Sequence, residues 1–336
     1  MKKRFLGNIE VSEIGMGCMG LSHGYGEIPE KDYSIAAIRK AYEYGCTFFD
    51  TAEGYGAMLY GEGHNEKLLG EAAVPFRDKI VLATKFHFTG EIPETDVEIE
   101  DYIRRHLAES MKNLRTSMID LYYLHRVHPK VSVEKTAAVM SKLIDEGLIR
   151  GWGLSQVDVD TLKRAHAVTP VSAVQNLYNM LERDCEAEIF PFCMENNIGV
   201  VPFSPVASGF LSGKVTAQMS FEHIDDVRKF VPQLSKENME ANQPILNLLA
   251  EFAEKKNATK AQISMAWMLK KYPNVVPIPG SKNQERILEN LGASEINLSD
   301  DEFRTLQEEL DKIPIHGHRG NVEYDGSKMS DWGKKK

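Results

Sequence analysis

The sequence predicts an α/β fold, specifically a (β/α)8 TIM barrel with an N-terminal β-hairpin and long loops at the carboxyl ends of the strands. Eight short runs rich in Val, Ile, Leu or Phe follow the hairpin, and helix-period segments separate them almost from end to end. The runs lack polar alternation, as expected of strands covered on both faces. The 336 residues suggest about two domains at roughly 150 residues each, but such barrels span roughly 200 to more than 400 residues as one domain. We therefore expect one domain over 1–336, divided into the hairpin 4–11, the barrel 13–313 and a tail 314–336.

The elements are predicted in chain order from turn signals and periodicity. Gly7-Asn8 between alternating residues indicates the hairpin, and Gly45 and Gly147 are C′ glycines that end two of the helices. The predicted strands are Glu13–Gly17, Thr47–Asp50, Ile80–Lys85, Ile119–His125, Arg150–Ser155, Val171–Gln175, Val200–Ser204 and Val275–Pro279. The predicted helices are Asp32–Tyr44, Glu98–Leu114, Val133–Glu146, Asp158–Ala167, Asp184–Asn196, Pro244–Lys256, Lys260–Lys271 and Gln284–Leu291.

A doubly wound sheet is the rival fold, and one motif bears on it. The segment 15–20 matches G-x-G-x-x-G by its letters, but the third glycine of a dinucleotide fingerprint should open a helix. Here Gly20 is followed by a loop-like stretch that contains Gly24, Gly26 and Pro29, so we interpret the match as false. The irregular stretch 206–243 is interpreted as a loop or insertion after the seventh strand rather than a second domain.

Composition excludes several classes of protein. Hydrophobic residues make up 42% and charged residues 26%, which are values typical of soluble globular proteins and exclude disordered, collagen-like and disulfide-scaffold proteins. The 40 basic and 49 acidic residues give a net charge of −9, so we expect no general binding to nucleic acid or anionic membranes. An anionic ligand must then be held by a local cluster of donors.

The sequence contains no recognisable targeting signal. The basic start Met1–Arg4 is not followed by the apolar segment of a signal peptide, and no stretch approaches the roughly 18 apolar residues of a membrane span. The four cysteines form no C-x-x-C pair and are typical of reduced thiols, so we expect a cytoplasmic protein. His125 and His128 have metal-like spacing but no accompanying Cys or carboxylate motif, so no metal is expected.

Polar residues end the predicted strands, where the active sites of such barrels lie. A tyrosine with a reference pKa of about 10 needs a nearby ammonium to stabilise its phenolate, and a buried ammonium needs a carboxylate. A neutral histidine there donates a hydrogen bond to a substrate carbonyl oxygen. The sequence therefore predicts a proton-transfer set at one mouth of the barrel. The strand-end residues are Asp50, Lys85, His125, Ser155, Gln175 and Ser281, with Tyr55 in the loop after Asp50.

A phosphate site is predicted after the eighth strand. Ser281, Lys282 and Arg286 lie across a strand end and the first turn of the next helix, and they form a cationic, donor-rich site aided by the helix N-terminus.

These motifs together resemble the aldo-keto reductase superfamily over about residues 4–313, in the expected order. The resemblance implies a (β/α)8 barrel that transfers hydride between NADPH and a carbonyl or alcohol without a metal. The segments that carry it are Phe48–Gly56, Ala83–Lys85, Asp120–Arg126, Gly151–Ser155, Pro202–Pro205, Gly209–Lys214 and Ile278–Lys282.

The resemblance assigns roles residue by residue. Tyr55 matches the general acid, Lys85 and Asp50 the pair that tunes it, and His125 the histidine that orients the carbonyl. Ser155 matches the residue that binds the nicotinamide carboxamide, with Gln175 as its companion.

The resemblance also implies the other residues that bind the cofactor. Gln156 stands where the family usually has Asn, one methylene shorter. Phe203 occupies the position whose ring stacks on the nicotinamide. Arg286 and its neighbours match the 2′-phosphate site, which favours NADPH over NADH. The remaining implied NADP(H)-binding residues are Ser204, Pro205, Gly209, Leu211, Gly213, Lys214, Gly280, Ser281, Lys282, Glu289 and Asn290.

Three functions remain open. The first is NADPH-dependent reduction of a small-molecule aldehyde or ketone to an alcohol. The second is a slowly turning-over NADPH-binding regulatory protein that resembles potassium-channel β subunits. The third is a Schiff-base aldolase with Lys85 as nucleophile. The sequence predicts neither the substrate, the physiological direction, the oligomeric state, nor the role of His316 and His318 in the tail.

Overall fold

The computed structural model describes residues 1–320; the end of the predicted tail, 321–336, lies outside the described residues. The chain forms a two-stranded hairpin followed by a parallel sheet with helices on its outside. The strands are β1 Lys3–Leu6, β2 Ile9–Ser12, β3 Met16–Gly17, β4 Phe48–Asp50, β5 Val81–Phe86, β6 Ile119–Leu124, β7 Ile149–Ser155, β8 Ala173–Gln175 and β9 Gly199–Val200. The α-helices are α1 Lys31–Glu43, α2 Ala57–Tyr60, α3 His64–Ala73, α4 Asp96–Asn113, α5 Val133–Asp145, α6 Val159–Val168, α7 Ile189–Glu195, α8 Lys236–Ala241, α9 Gln243–Lys256, α10 Lys260–Lys271, α11 Gln284–Leu291 and α12 Asp300–Asp311.

The parallel sheet curls into a barrel whose last side is an irregular segment. Seven strands are paired in chain order from β3 to β9. The predicted eighth strand, 275–279, pairs with β9 at Val275, and Val276 N donates to Val200 O at 2.8 Å. Pro277 and Pro279 have no N–H to donate, so this segment forms isolated bridges instead of a regular strand. Gly17 bridges to Gly280 and closes the circle, so the expected barrel is confirmed.

The barrel interior is apolar at its lower end and polar at its upper end. Side chains alternate between the two faces of a strand, so residues two apart along one strand point to the same side. Phe48, Ala83, Tyr123 and Ala173 belong to the apolar cluster inside the barrel. The residues two positions further along the same strands are therefore directed into the upper mouth. The hairpin closes the lower end with Leu6, Ile9 and Val11, which are all buried in that cluster.

Most predicted helices have the expected positions, and one is wrong in part. The predicted helix 184–196 is a short 3-10 turn at Asp184–Glu186 followed by α7. Pro191 explains the break, because proline is tolerated in the first turn of a helix but removes a hydrogen bond further inside. Four helices were not predicted. They are α2, α3, α8 and α12, although a capping box of Ser299 and Glu302 marks the start of α12.

The stretch 206–243 forms the expected long loop, with short 3-10 turns and α8 within it. Tyr25 and Asp226 form a β-bridge between this loop and the loop after β3. Nearby, His23 Nδ1 lies 2.5 Å from the carboxylate of the buried Asp225, which also accepts a hydrogen bond from Gly24 N. Between residues 1 and 320, no helix is long and apolar enough to cross a membrane.

Candidate active site

The inward-facing positions at the ends of β4, β5 and β6 bring three predicted site residues together. Asp50, Lys85 and His125 each follow an apolar interior residue by two positions, and Lys85 pairs in register with Tyr123 next to it. Asp50 and Lys85 are 2% and 0% exposed, so their charges are removed from water. The strand period therefore places a carboxylate, an ammonium and an imidazole at one mouth.

The Lys85 ammonium is the centre of the group. Its Nζ donates to Asp50 Oδ1 at 2.5 Å, to Thr51 O at 2.7 Å and to the Tyr55 hydroxyl at 3.3 Å. Burial opposes the charge, but Asp50 and Tyr55 outweigh it and raise the pKa of Lys85. All three ammonium hydrogens have acceptors, which keeps Lys85 protonated and fixed in place.

Tyr55 is held against the ammonium by the loop between β4 and α2. Gly56 adopts φ +85° there, a left-handed conformation that favours glycine. A Cβ added at this position would lie 3.0 Å from Ser22 Cβ. The Tyr55 ring stands edge-on to His125, with ring centroids 5.7 Å apart. Burial raises the pKa of the phenol, with Lys85 opposing it, so Tyr55 carries its proton at neutral pH. Burial thus outweighs the stabilisation of the phenolate by the Lys85 ammonium.

His125 is a neutral imidazole in this environment. Burial lowers its pKa well below the usual value, and the charges of Arg126 and Lys85 lower it further. Its Nδ1 is buried without a hydrogen-bond partner among residues 1–320. A neutral imidazole has one N–H to donate, as the predicted contact with a carbonyl oxygen would require.

The three polar residues expected near the nicotinamide carboxamide have different partners. Gln175 Nε2 donates to Asp50 Oδ2 at 2.8 Å, so this side chain orients the carboxylate. Ser155 Oγ accepts from Arg126 Nη1 at 2.9 Å. Gln156 is buried with φ +53°, and its Oε1 accepts from Leu177 N at 3.1 Å. The side chain of Gln156, one methylene longer than Asn, thus binds the backbone N–H of Leu177.

The loop after β9 is curled by a run of left-handed residues. Positive φ values occur at Ser204, Ala207, Ser208 and Gly209, and again at Gly213. The curl buries Pro205 and Leu211 and leaves the Phe203 ring half-buried at the edge of the barrel interior. Phe203 N donates to Asn176 O at 3.2 Å, so the ring follows the strand end next to that of Gln175.

The predicted phosphate residues lie at the start of α11. Asn283 caps the helix by accepting from Arg286 N at 2.9 Å, and the Arg286 side chain is exposed. Ser281 Oγ accepts from Asn283 N. Lys282 Nζ instead donates to the carbonyl oxygens of Tyr25 and Glu27, so its ammonium ties two loops together.

An ion pair joins the curled loop to α11. Lys214 Nζ lies 2.7 Å from Glu289 Oε2, although the two residues are 75 positions apart in the chain. Asn290 is buried beside it, and Gly280 is exposed at the strand end. The structure thus brings the loop, the strand end and the helix to one side of the mouth.

The mouth also contains residues that the strand-end pattern does not predict, namely Arg126, His87, Glu53 and His106. His87 follows Lys85 by two positions, so the same inward alternation would have found it. Its ring stands 5.8 Å from that of His125. Glu53 accepts from His87 N and lies 2.7 Å from His106 Nδ1. Within the described part of the chain, no group of three His, Cys, Asp or Glu side chains is arranged to hold a metal ion.

The tail residues His316 and His318 are exposed. Their backbone groups pair with Asn242 and Gln233, which docks this segment beside α8. Arg319 follows and is 7% exposed.

Comparison with known proteins identifies the family. The sequence profile of the Aldo/keto reductase family matches residues 13–311. A probable aldo-keto reductase 1 of Glycine max is 37% identical over 326 residues, which cover 96% of this chain and 91% of that protein. The solved structure of the glycerol dehydrogenase of Gluconobacter oxydans superposes with a TM-score of 0.81 at 25% identity, covering 94% of this chain and 97% of the other. An aldo/keto reductase of Klebsiella pneumoniae in complex with NADP and acetate superposes with a TM-score of 0.71 at 24% identity, covering 95% and 98%. The chain therefore belongs to the aldo/keto reductase family, whose members are oxidoreductases that act on carbonyl groups.

Proposed function

We propose that this chain reduces an aldehyde or ketone to an alcohol with NADPH, reversibly, and that Tyr55 is the general acid. The observation that carries the proposal is the Lys85 ammonium, which contacts both the Asp50 carboxylate and the Tyr55 hydroxyl inside the barrel mouth. The family acts on carbonyl groups, and this arrangement supplies the proton that carbonyl reduction requires.

The residues present fit NADP(H). The exposed guanidinium of Arg286 and the Ser281 hydroxyl stand at the N-terminal end of α11, which suits a phosphate. Phe203 presents a half-buried ring beside the catalytic mouth, as a flat nicotinamide requires. The Klebsiella pneumoniae protein of the same fold was crystallised with NADP. When bound, the reduced cofactor supplies the hydride.

The chain's own residues perform the proton transfer. Tyr55 Oη gives its proton to the carbonyl oxygen, and the Lys85 ammonium stabilises the phenolate that remains. Neutral His125 donates a hydrogen bond that orients the same oxygen. Gln175 and Lys85 keep Asp50 in place, so the charge of the ammonium remains compensated throughout.

The geometry disfavours the aldolase alternative. A Schiff base needs a deprotonated lysine, whereas Lys85 has three acceptors and a raised pKa. Nothing in the described chain favours the regulatory alternative over the enzyme, and the cytoplasmic location, the single domain and the site assignments stay predictions.

Isotope transfer tests the function. The protein is incubated with an activated aldehyde and NADPH that carries deuterium at the transferable C4 position, and the alcohol is analysed by mass spectrometry. We expect the deuterium on the carbinol carbon of the product. NADPH consumption without labelled alcohol, or no consumption with any aldehyde or ketone of a broad panel, would contradict the proposal.

A further inference from the structure

We propose that the preferred substrates carry a carboxylate besides the reacting carbonyl, and that Arg126 binds this second group. The inference rests on the proposed function, because it names the substrate class of the same site. It makes Arg126 a residue that determines specificity.

Arg126 is fixed at the catalytic mouth between two site residues. It directly follows His125, and its Nη1 donates to His125 O at 2.5 Å and to Ser155 Oγ at 2.9 Å. These contacts anchor one nitrogen of the guanidinium. A guanidinium has five N–H donors in a planar fork, so the remaining edge can still bind a carboxylate with two parallel hydrogen bonds.

No carboxylate in the described part of the chain, residues 1–320, neutralises this cation. Among residues 1–320, no Asp or Glu oxygen lies within ion-pair distance of Arg126, whereas Arg228 pairs with Asp226 and Arg77 with Asp120. Burial lowers the pKa of Arg126 to about 10, which records the cost of holding the charge there. Removing a guanidinium from water without an anion is unfavourable, so its place at a substrate mouth calls for an anionic partner.

The net charge of the mouth supports the same conclusion. Lys85 is compensated by Asp50 at 2.5 Å, so the positive charge that remains near the reacting oxygen belongs to Arg126. The candidate phosphate site is elsewhere, at the start of α11 with Ser281 and Arg286, and it does not account for a cation beside His125. The partner of Arg126 is therefore a group on the substrate, joined to the carbonyl by a short linkage.

Two aldehydes of matched shape test this inference. The kcat/KM for NADPH-dependent reduction is measured with 4-carboxybenzaldehyde and with its neutral amide, 4-carbamoylbenzaldehyde. A hydrogen-bonded charge pair contributes about 1.5–3 kcal/mol, so we expect the intact protein to favour the carboxylate by about 10- to 100-fold. The ratio of the two values cancels any change that affects both substrates alike, such as weaker cofactor binding.

Three variants locate the effect. Arg126→Met should reduce the ratio to about one, and Arg126→Lys should retain part of it because the charge remains. Arg164→Met, which alters an exposed ion pair with Glu134 on the outer helices, should leave the ratio unchanged. A ratio near one in the intact protein, or a ratio that Arg126→Met does not change, would overturn the inference while leaving NADPH-dependent reduction intact. No reduction of either aldehyde, or of the broader panel, would overturn the proposed function and the inference with it.

Discussion

The catalytic mouth and the phosphate end of this site are built in opposite ways. At the mouth, Asp50 and Lys85 are buried, and every contact of the ammonium comes from residues fixed by strands or by the loop next to them. At the phosphate end, Arg286 is exposed, and the Lys214–Glu289 pair joins a loop to a helix in contact with solvent. The first arrangement suits the proposed proton transfer, for which its groups are already in place, whereas the second suits the proposed binding of a long ligand that enters from solvent.

The largest expected effect comes from breaking the buried pair. Lys85→Met leaves the Asp50 carboxylate buried with Gln175 as its remaining side-chain partner among residues 1–320, and such a loss costs about 3–5 kcal/mol. We expect the free energy of unfolding in urea to fall by about that amount and reduction to be abolished. Lys112→Met is the matched control, because Lys112 pairs with Glu109 on the surface of α4 and should cost at most about 1 kcal/mol. Equal losses for the two variants would contradict the comparison.

At the phosphate end, the expected effect is on cofactor choice. Arg286→Ala removes the exposed guanidinium from the first turn of α11 and with it a charge-assisted contact worth about 1.5–3 kcal/mol. The kcat/KM with NADPH should fall by about 10- to 100-fold, while that with NADH changes little. The ratio of the two values measures this, and an equal fall with both cofactors would place Arg286 outside the 2′-phosphate site.

An intermediate effect is expected from pH. Burial lowers the pKa of both His125 and His87, so below about pH 6.5 the unfolded chain binds protons at these positions that the folded chain does not. The free energy of unfolding should therefore decrease as the pH is lowered, by up to about 1.4 kcal/mol per pH unit for each histidine. His87→Gln should lessen the slope, measured by urea unfolding between pH 7 and pH 5 in roughly half-unit steps. His316→Gln, in the exposed tail, serves as the control, and an unchanged slope in His87→Gln would refute the account.

The smallest effect is expected at the ion pair between the loop and α11. Lys214 and Glu289 have side chains 42% and 21% exposed, so Lys214→Met should lower the free energy of unfolding by at most about 1 kcal/mol. Release of NADP from the loaded protein should nevertheless become faster, because the loop loses its tie to the helix. Stopped-flow fluorescence measures the release rate, and an unchanged rate would remove this pair from cofactor binding.

The same contrast explains what the sequence could predict. The alternation of side chains along β4 to β6 places Asp50, Lys85 and His125 at one mouth, because the strand period is rigid. The contact of Lys282 with the Tyr25 and Glu27 carbonyl oxygens depends on how two long loops fold, which no local pattern encodes. Tyr55 was placed correctly beside Lys85, but the balance between burial and the ammonium charge required the three-dimensional surroundings. Arg126 was visible in the sequence, yet its lack of an acid partner among residues 1–320 is a property of the fold alone.

The reduction rate of Tyr55→Phe tests the central claim most directly. The change removes one hydroxyl next to Lys85 and keeps the ring against His125. General acid catalysis contributes typically about 10²–10⁴-fold, so kcat for a neutral aldehyde should fall by that factor, with NADPH binding retained. Tyr44→Phe removes the same atom from a surface hydrogen bond to Glu295 and should leave kcat unchanged. A Tyr55→Phe variant that reduces the aldehyde as fast as the intact protein would contradict the account.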